Sequence, residues 1–346
     1  KIIATHTGVG ALSTPLGVQG GADTIQVPIM PQGDWTLAGG TVVVLGPTED
    51  GTPHTAGGNI TIPSNAQLIL QDTILQLPNY ATMTIDSYGD FEGYNSQLIG
   101  DVDSHSSEFS DSQSSNLTII GDVLWTSCQT DIILFGLQVE GDIQLDNSCK
   151  VTITSGGVTG ELDVGVGAVF EIVNILDITV LDKGEPVEGA TITIQGQSVT
   201  TDVDGKATKS TTALRVDSSG PTTAGLKQVT MQWGSISDLM AWDPSSSKEH
   251  TFTASTIAGG ALSEWLVLEK AWSPYHLSSN LIIPQGQTMT VNDGVSLRVA
   301  DGVTISVEGI FNSGYSTISS MGSGARWGGL VVGDNIETSA SLLGTS

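Results

Sequence analysis

Basic residues are scarce. The 346-residue chain has 11 Lys and Arg against 37 Asp and Glu, a formal charge of −26. That balance excludes a nucleic-acid partner, because phosphate recognition rests on Lys and Arg. From position 2 to position 149 there is no Lys or Arg at all, while the same stretch holds 17 Asp and Glu. Apolar runs are short, and none approaches the roughly 20 residues of a membrane-spanning helix, so no transmembrane segment is expected. Cysteine is limited to 2 residues with no CxxC pair or His-rich cluster, which argues against a zinc-type site. No GxSxG elbow, no phosphate-binding loop and no GxGxxG after a strand is found.

Glycine is plentiful at 43 residues, and 38% of the chain is apolar. With abundant Ser and Thr and little Lys, Glu or Ala, this composition predicts an all-β fold and excludes a disordered acidic polymer. Carboxylates without internal partners need cations from dissolved salt, bound Ca²⁺ or a basic partner. Adaptation to a saline exterior is the preferred explanation. The sequence starts at Lys1 without Met or a secretory apolar segment, which is read as a processed or excerpted chain. Two Cys, the sequons Asn59-Ile60-Thr61 and Asn116-Leu117-Thr118, and the acidic surface together predict an extracellular, cell-surface setting.

Internal repetition is the strongest signal. LIGDVD at Leu98 returns as IIGDVLW at Ile119, VEGDIQL at Val139 and VTGELDV at Val158. The marker glycines 100, 121, 141 and 160 are spaced by 21, 20 and 19 residues. Within a copy, Leu137, Val139, Ile143 and Leu145 share one face, while Gln138, Glu140, Asp142 and Gln144 take the other. This is strand periodicity with one buried face. A strand unit at this period, with no helical pattern between copies, is one coil of a solenoid.

These coils resemble the right-handed parallel β-helix of pectate-lyase-like proteins, and GGNITIPSNAQLILQDTILQL from Gly57 is similar to an entry coil. At this period the stretch predicts roughly six or seven coils rising about 4.8 Å each. A longer duplication supports this: Asn280-Leu-Ile-Ile-Pro284 echoes Asn59-Ile-Thr-Ile-Pro63, and Gly309 echoes Gly89, at an offset of 220–221. The run from Ile282 to Gly309, with RWGGLVV at Arg326, resembles β-helix coils of archaeal and bacterial surface proteins. Between them, residues 181–210 resemble the carboxypeptidase regulatory-like domain, a small immunoglobulin-like sandwich. That resemblance rests on Gly184, Pro186, Gly189-Ala190 and the Thr201-Asp-Val-Asp-Gly205 hairpin. The predicted order is an N-terminal segment (1–40), a parallel β-helix (41–176), a β-sandwich (177–258), a Trp-rich junction (259–279) and the start of a second β-helix (280–346).

Several clusters could carry chemistry. If the coils stack in register, Asp101, Asp122, Asp142 and Glu161 form an outward ladder flanked by Asp103 and Asp163. A divalent cation such as Ca²⁺ would relieve their repulsion; a solvated face screened by salt is the preferred alternative. No other cofactor is expected. Asp202-Val-Asp204-Gly205 superficially resembles a Ca²⁺ loop, but its twelfth position is Thr211 where a bidentate Glu is required, so it reads as a hairpin. Cys128 and Cys149 lie one repeat apart, on adjacent coils, where Cα atoms come to about 5 Å. A disulfide is the favoured reading, and two stacked thiols the other.

Pectate-lyase-like enzymes place an Arg or Lys base beside Ca²⁺, and residues 2–149 have neither. Asp101, Asp103 and His105 are the nearest cluster for a hydrolase. They lead into SHSSEFSDSQSSN, a connector-like stretch, so His105 reads as a loop residue and no enzyme is expected. Trp242, Trp265, Trp272 and Tyr275, with Trp327, could line a sugar-binding groove or, as favoured, fill a domain junction.

The resemblance to modular surface proteins implies a non-enzymatic structural or adhesive subunit of an S-layer, sheath or filament. Unpaired strand edges beyond residue 280 would join head to tail with another copy of this chain, unless the protein continues past Ser346. The competing function is a polysaccharide-binding module or degenerate polysaccharide lyase, with glycans as partners.

Overall fold

A computed structural model describes residues 24–26, 30–105, 115–126, 128, 131–146, 148–234, 236–321, 326–333 and 341–342. Most of the Ser-rich stretch 104–116, expected to be a connector, lies outside them, as does most of the N-terminal segment. The described residues form an all-β fold whose strands are mostly paired in parallel as solenoid coils, and their one helical element is a 3-10 turn at Lys270–Trp272. The chain divides into two compact units, the first running to Ile175 with residues 210–225 and 244–247, the second taking the remainder from Leu176.

In the first unit each coil contributes to up to three parallel sheets. One face stacks Trp35–Thr36, Ile60–Ile62, Thr82–Ile85, Asp101–Ser104, Val123–Trp125, Ile143–Leu145 and Leu162–Val164. Alternation drives this arrangement: Ile60 and Ile62 are fully buried while Thr61 between them faces outward. Met83 and Ile85, Val123 and Trp125, and Ile143 and Leu145 repeat the pattern on later coils. A period-two pattern buries every second side chain, and stacking the coils joins those side chains into one core.

Between Val42 and Val169 the coils of the first unit shorten. Val42 pairs with Gln67, 25 residues on, whereas Lys150 pairs with Val169, only 19 on. The extra residues of the early coil form a loop at 46–53 that stands beside the next bend.

The repeated glycines have a steric reason. A Cβ on Gly121 would lie 2.4 Å from the Gly100 carbonyl oxygen, one on Gly141 2.2 Å from that of Gly121, and one on Gly160 2.1 Å from that of Gly141. Any other residue would push neighbouring coils apart at this corner.

In the second unit an antiparallel sheet runs Gln197–Thr200, Thr191–Ile194, Lys227–Trp233, Ile236–Trp242. Ala190, Ile192, Val229, Met231, Trp242 and Phe252 form its core. In the expected hairpin, Asp202 Oδ1 accepts the Asp204 and Lys206 N–H groups, each at 2.9 Å, as a turn-forming side chain does. From Ser255 three four-stranded parallel sheets resume the coil pattern around Leu277, Leu281, Met289, Leu297, Ile305 and Phe311. The long duplication is structural here. Asn59 Oδ1 accepts the Thr82 N–H at 3.0 Å, and Asn280 Oδ1 accepts the Thr304 N–H at 2.9 Å. A Cβ on Gly89 or Gly309 would likewise meet the carbonyl oxygen of Ile62 or Pro284, at 2.4 and 2.3 Å.

Gly141→Ala is therefore expected to cost at least about 2 kcal/mol. Gly33→Ala, where a Cβ meets nothing within 4 Å, is expected to be neutral. Urea unfolding of the two variants checks the contrast.

Candidate functional site

The residue after each marker glycine builds the first polar feature. Val102 pairs with Val123, Val123 with Ile143 and Ile143 with Leu162, which puts Asp101, Asp122, Asp142 and Glu161 in one exposed column. Its members are tied together through the main chain. Asp101 Oδ1 accepts the Asp122 N–H at 2.9 Å, Asp122 Oδ1 the Asp142 N–H at 2.8 Å, and Asp142 Oδ1 the Glu161 N–H at 2.7 Å. Sequence reasoning missed the earlier rungs. Asp34 Oδ1 accepts the Asn59 N–H at 2.8 Å, Asn59 caps Thr82, and Thr82 pairs with Asp101. Asp103 and Asp163 flank the two ends of this column two residues on, with Leu124 and Gln144 between them in register. Among the described residues, no three His, Cys, Asp or Glu side chains converge as a metal-holding group.

A second column lines a sharp bend beside a groove. Asp72, Asn95, Asn116, Gly136 and Ser155 all adopt positive φ, between 46° and 67°. Asn and Asp tolerate that conformation better than other residues with a side chain. Asn95 Nδ2 donates to Asp72 Oδ1 at 3.3 Å, and Asn116 Nδ2 donates to Asn95 Oδ1 at 2.9 Å. Above these three residues lies a groove of about 430 Å³, with Gln97 and Thr118 on one side and Pro47, Thr48, Gly51 and Thr52 on the other.

The wall at 46–53 is held by its own polar groups. His54 Nε2 lies 2.8 Å from the Gly46 carbonyl, and Thr48 Oγ1 donates to the Thr52 carbonyl at 2.6 Å. Thr52 donates both its Oγ1–H and its N–H to Asp50 Oδ1, at 2.7 and 3.1 Å, which lowers the Asp50 pKa below the usual carboxylate value. The signal for this site was present in the sequence: Asp72, Asn95 and Asn116 recur at 23 and 21 residues, tracking the shortening coils.

Cys128 and Cys149 form a disulfide with Cα atoms 5.0 Å apart. His105 is held rather than loose. Its Nδ1 is 2.5 Å from Thr126 Oγ1 and its Nε2 is 3.4 Å from Asp103 Oδ1, while Asp101 remains in the column. No motif in the chain pointed to the Thr126 partner. The aromatic candidates do not form one surface. Trp242 and Tyr275 are buried at 0% and 1% exposure, and the Tyr275 hydroxyl accepts the Glu269 N–H at 2.9 Å. Trp265 is 72% exposed and Trp272 38%. Both sequon residues, Asn59 and Asn116, are exposed.

Three basic residues form ion pairs within their units. Lys150 meets Asp131, Arg215 meets Glu171, and Arg298 meets Asp238, each at 2.6 Å. His276, on the strand that pairs with the Arg298 strand, is 1% exposed. Burial, followed by the Arg298 charge, lowers its pKa to about 4. Searches of protein-family models, curated proteins and solved structures returned no match for this chain.

Asp142→Asn keeps the acceptor for the Glu161 N–H while removing a charge, so it should be neutral or stabilising and should weaken the dependence of stability on salt. Asp142→Ala removes the acceptor and should cost about 1 kcal/mol in urea unfolding.

As pH falls below about 6.5, unfolded His276 takes up a proton that the folded protein refuses until about pH 4. Stability should therefore decline through that window, by about 3 kcal/mol in total from this residue. His276→Gln should flatten that part of the profile, read as the difference in unfolding midpoints between pH 7 and pH 4.5.

Proposed function

We propose that this chain is a structural or adhesive module of an extracellular surface, a segment of an S-layer, sheath or filament that works without catalysis. The carboxylate column carries this reading, because its repeated polar residues hold coil to coil along an exposed acidic face. A surface so acidic and so poor in cations suits a saline exterior.

In this reading the antiparallel strands of residues 191–242 belong to an immunoglobulin-like sandwich of the carboxypeptidase regulatory-like kind. The coils from Ser255 then begin a second β-helix. Other copies of the chain are the proposed partners, joined head to tail by continuing the parallel strand pairing from one molecule into the next. Ca²⁺ is proposed to act by neutralising the acidic faces of neighbouring molecules. A polysaccharide-binding role is favoured by one observation, the exposure of Trp265 and Trp272 on the second unit.

Electron microscopy of native material with and without EGTA tests the assembly. Ordered filaments or sheets that loosen on chelation are expected. Dispersed monomers indifferent to EGTA would overturn the proposal, and loss of glycan-array binding in Trp265→Ala would then favour the polysaccharide role.

A further inference from the structure

The groove on the first unit and one of the two sequons coincide. Asn116 and Thr118, the two residues that define the Asn116-Leu117-Thr118 sequon, both line it, and Asn116 is exposed. We infer that Asn116 is an N-glycosylation site whose first sugars lie in this groove, an inference that rests on the extracellular reading above.

Four observations support it. At about 430 Å³, the cavity falls within the roughly 300–1,000 Å³ range of small-ligand sites. Beside Pro47 and Ile74, its lining offers hydroxyl, amide and carboxylate groups, the donors and acceptors a polyhydroxylated ligand needs, and apolar surface for the sugar's C–H faces, with no cation. The wall is preorganised by the Thr48–Thr52, Asp50–Thr52 and His54–Gly46 hydrogen bonds, so little ordering is required when the groove fills. The lining also has no aromatic ring on which a free sugar could stack. A tethered sugar does not depend on that affinity, because covalent attachment supplies a high effective concentration.

The chemistry at Asn116 is compatible with its place in the column. Transfer from a lipid pyrophosphate-linked oligosaccharide forms a bond between Asn116 Nδ2 and the anomeric carbon. The anomeric C–O bond to phosphate breaks, the lipid pyrophosphate leaves, and one Nδ2 proton is lost. The remaining N–H is still available for Asn95 Oδ1, now 2.9 Å from Nδ2. Asn59 differs. It lies on the exposed carboxylate column, outside the lining of this groove, with its Oδ1 accepting the Thr82 N–H, so a glycan there would not be held by the groove.

The test uses the full chain secreted from a glycosylating host with an added leader. Thr118→Ala removes the Asn116 sequon and leaves the Asn column intact, and Thr61→Ala does the same at Asn59. Mass spectrometry should find a glycan on Asn116. Endoglycosidase should release it from native protein roughly tenfold more slowly than any glycan on Asn59, with the difference vanishing on unfolding. Thr118→Ala should lower the melting temperature by about 2–4 °C in glycosylated protein. It should have no effect in unglycosylated protein made in bacteria, and Thr61→Ala should have none in either.

An unmodified Asn116 would overturn the inference, whether or not Asn59 is modified. So would equal release rates, or an equal effect of Thr118→Ala in both preparations. Because the leader imposes export, such a failure counts against the groove alone, while microscopy of native material decides the surface role.

Discussion

From Gly121 to Gly160, each coil lies against the one before it at a point where a glycine faces the carbonyl of the preceding marker glycine, and the side chain after that glycine binds across the gap. The glycine contact sets how close the coils can come. A Cβ at Gly160 would sit 2.1 Å from the Gly141 oxygen, so the close approach exists only because no side chain is there. That approach brings the following backbone N–H within 2.7–2.9 Å of the Asp below. The core depends on the same register, since Val123, Ile143 and their neighbours stack only when the coils do not slip.

Stacking four carboxylates in a line has an electrostatic cost, and magnitudes decide whether the column can stand. Two unit charges a few ångströms apart in water repel by about 1 kcal/mol, and salt reduces this further. A hydrogen bond to a charged acceptor contributes about 1.5–3 kcal/mol. The main-chain bonds therefore outweigh the repulsion without a chelated ion, by a margin that widens with ionic strength. The basic residues near residue 150 are already engaged, Lys150 with Asp131 and Arg215 with Glu171.

The groove arises from a different requirement. Turning the chain sharply at each bend needs positive φ, which Asp72, Asn95 and Asn116 provide while their side chains bond to one another. Beside that column, the loop at 46–53 of the coil that begins at Val42 supplies a wall that its own hydrogen bonds hold in place. Backbone geometry and coil length together leave an open furrow at this point, where the shorter coil from Lys150 to Val169 carries no such loop.

Alternation of apolar residues and the Gly-Asp repeat were enough, from sequence, to place parallel coils, their period and the column of Asp101, Asp122, Asp142 and Glu161. These features are periodic, and a period of one coil converts directly into spatial neighbours. The duplication linking Asn59 with Asn280 was legible for the same reason. What lay beyond sequence was everything decided by which groups meet without a repeated motif. The burial of Trp242 and Tyr275 beside the exposure of Trp265, and the Thr126 partner of His105, depend on packing and register. The Asn column was written in the spacing of Asp72, Asn95 and Asn116, but only the folded bend gives three different side chains one backbone conformation and sets a loop over them. Sequence determined the coil; tertiary structure decided where its surface opens, because a groove is made by residues distant in the chain that no local pattern relates.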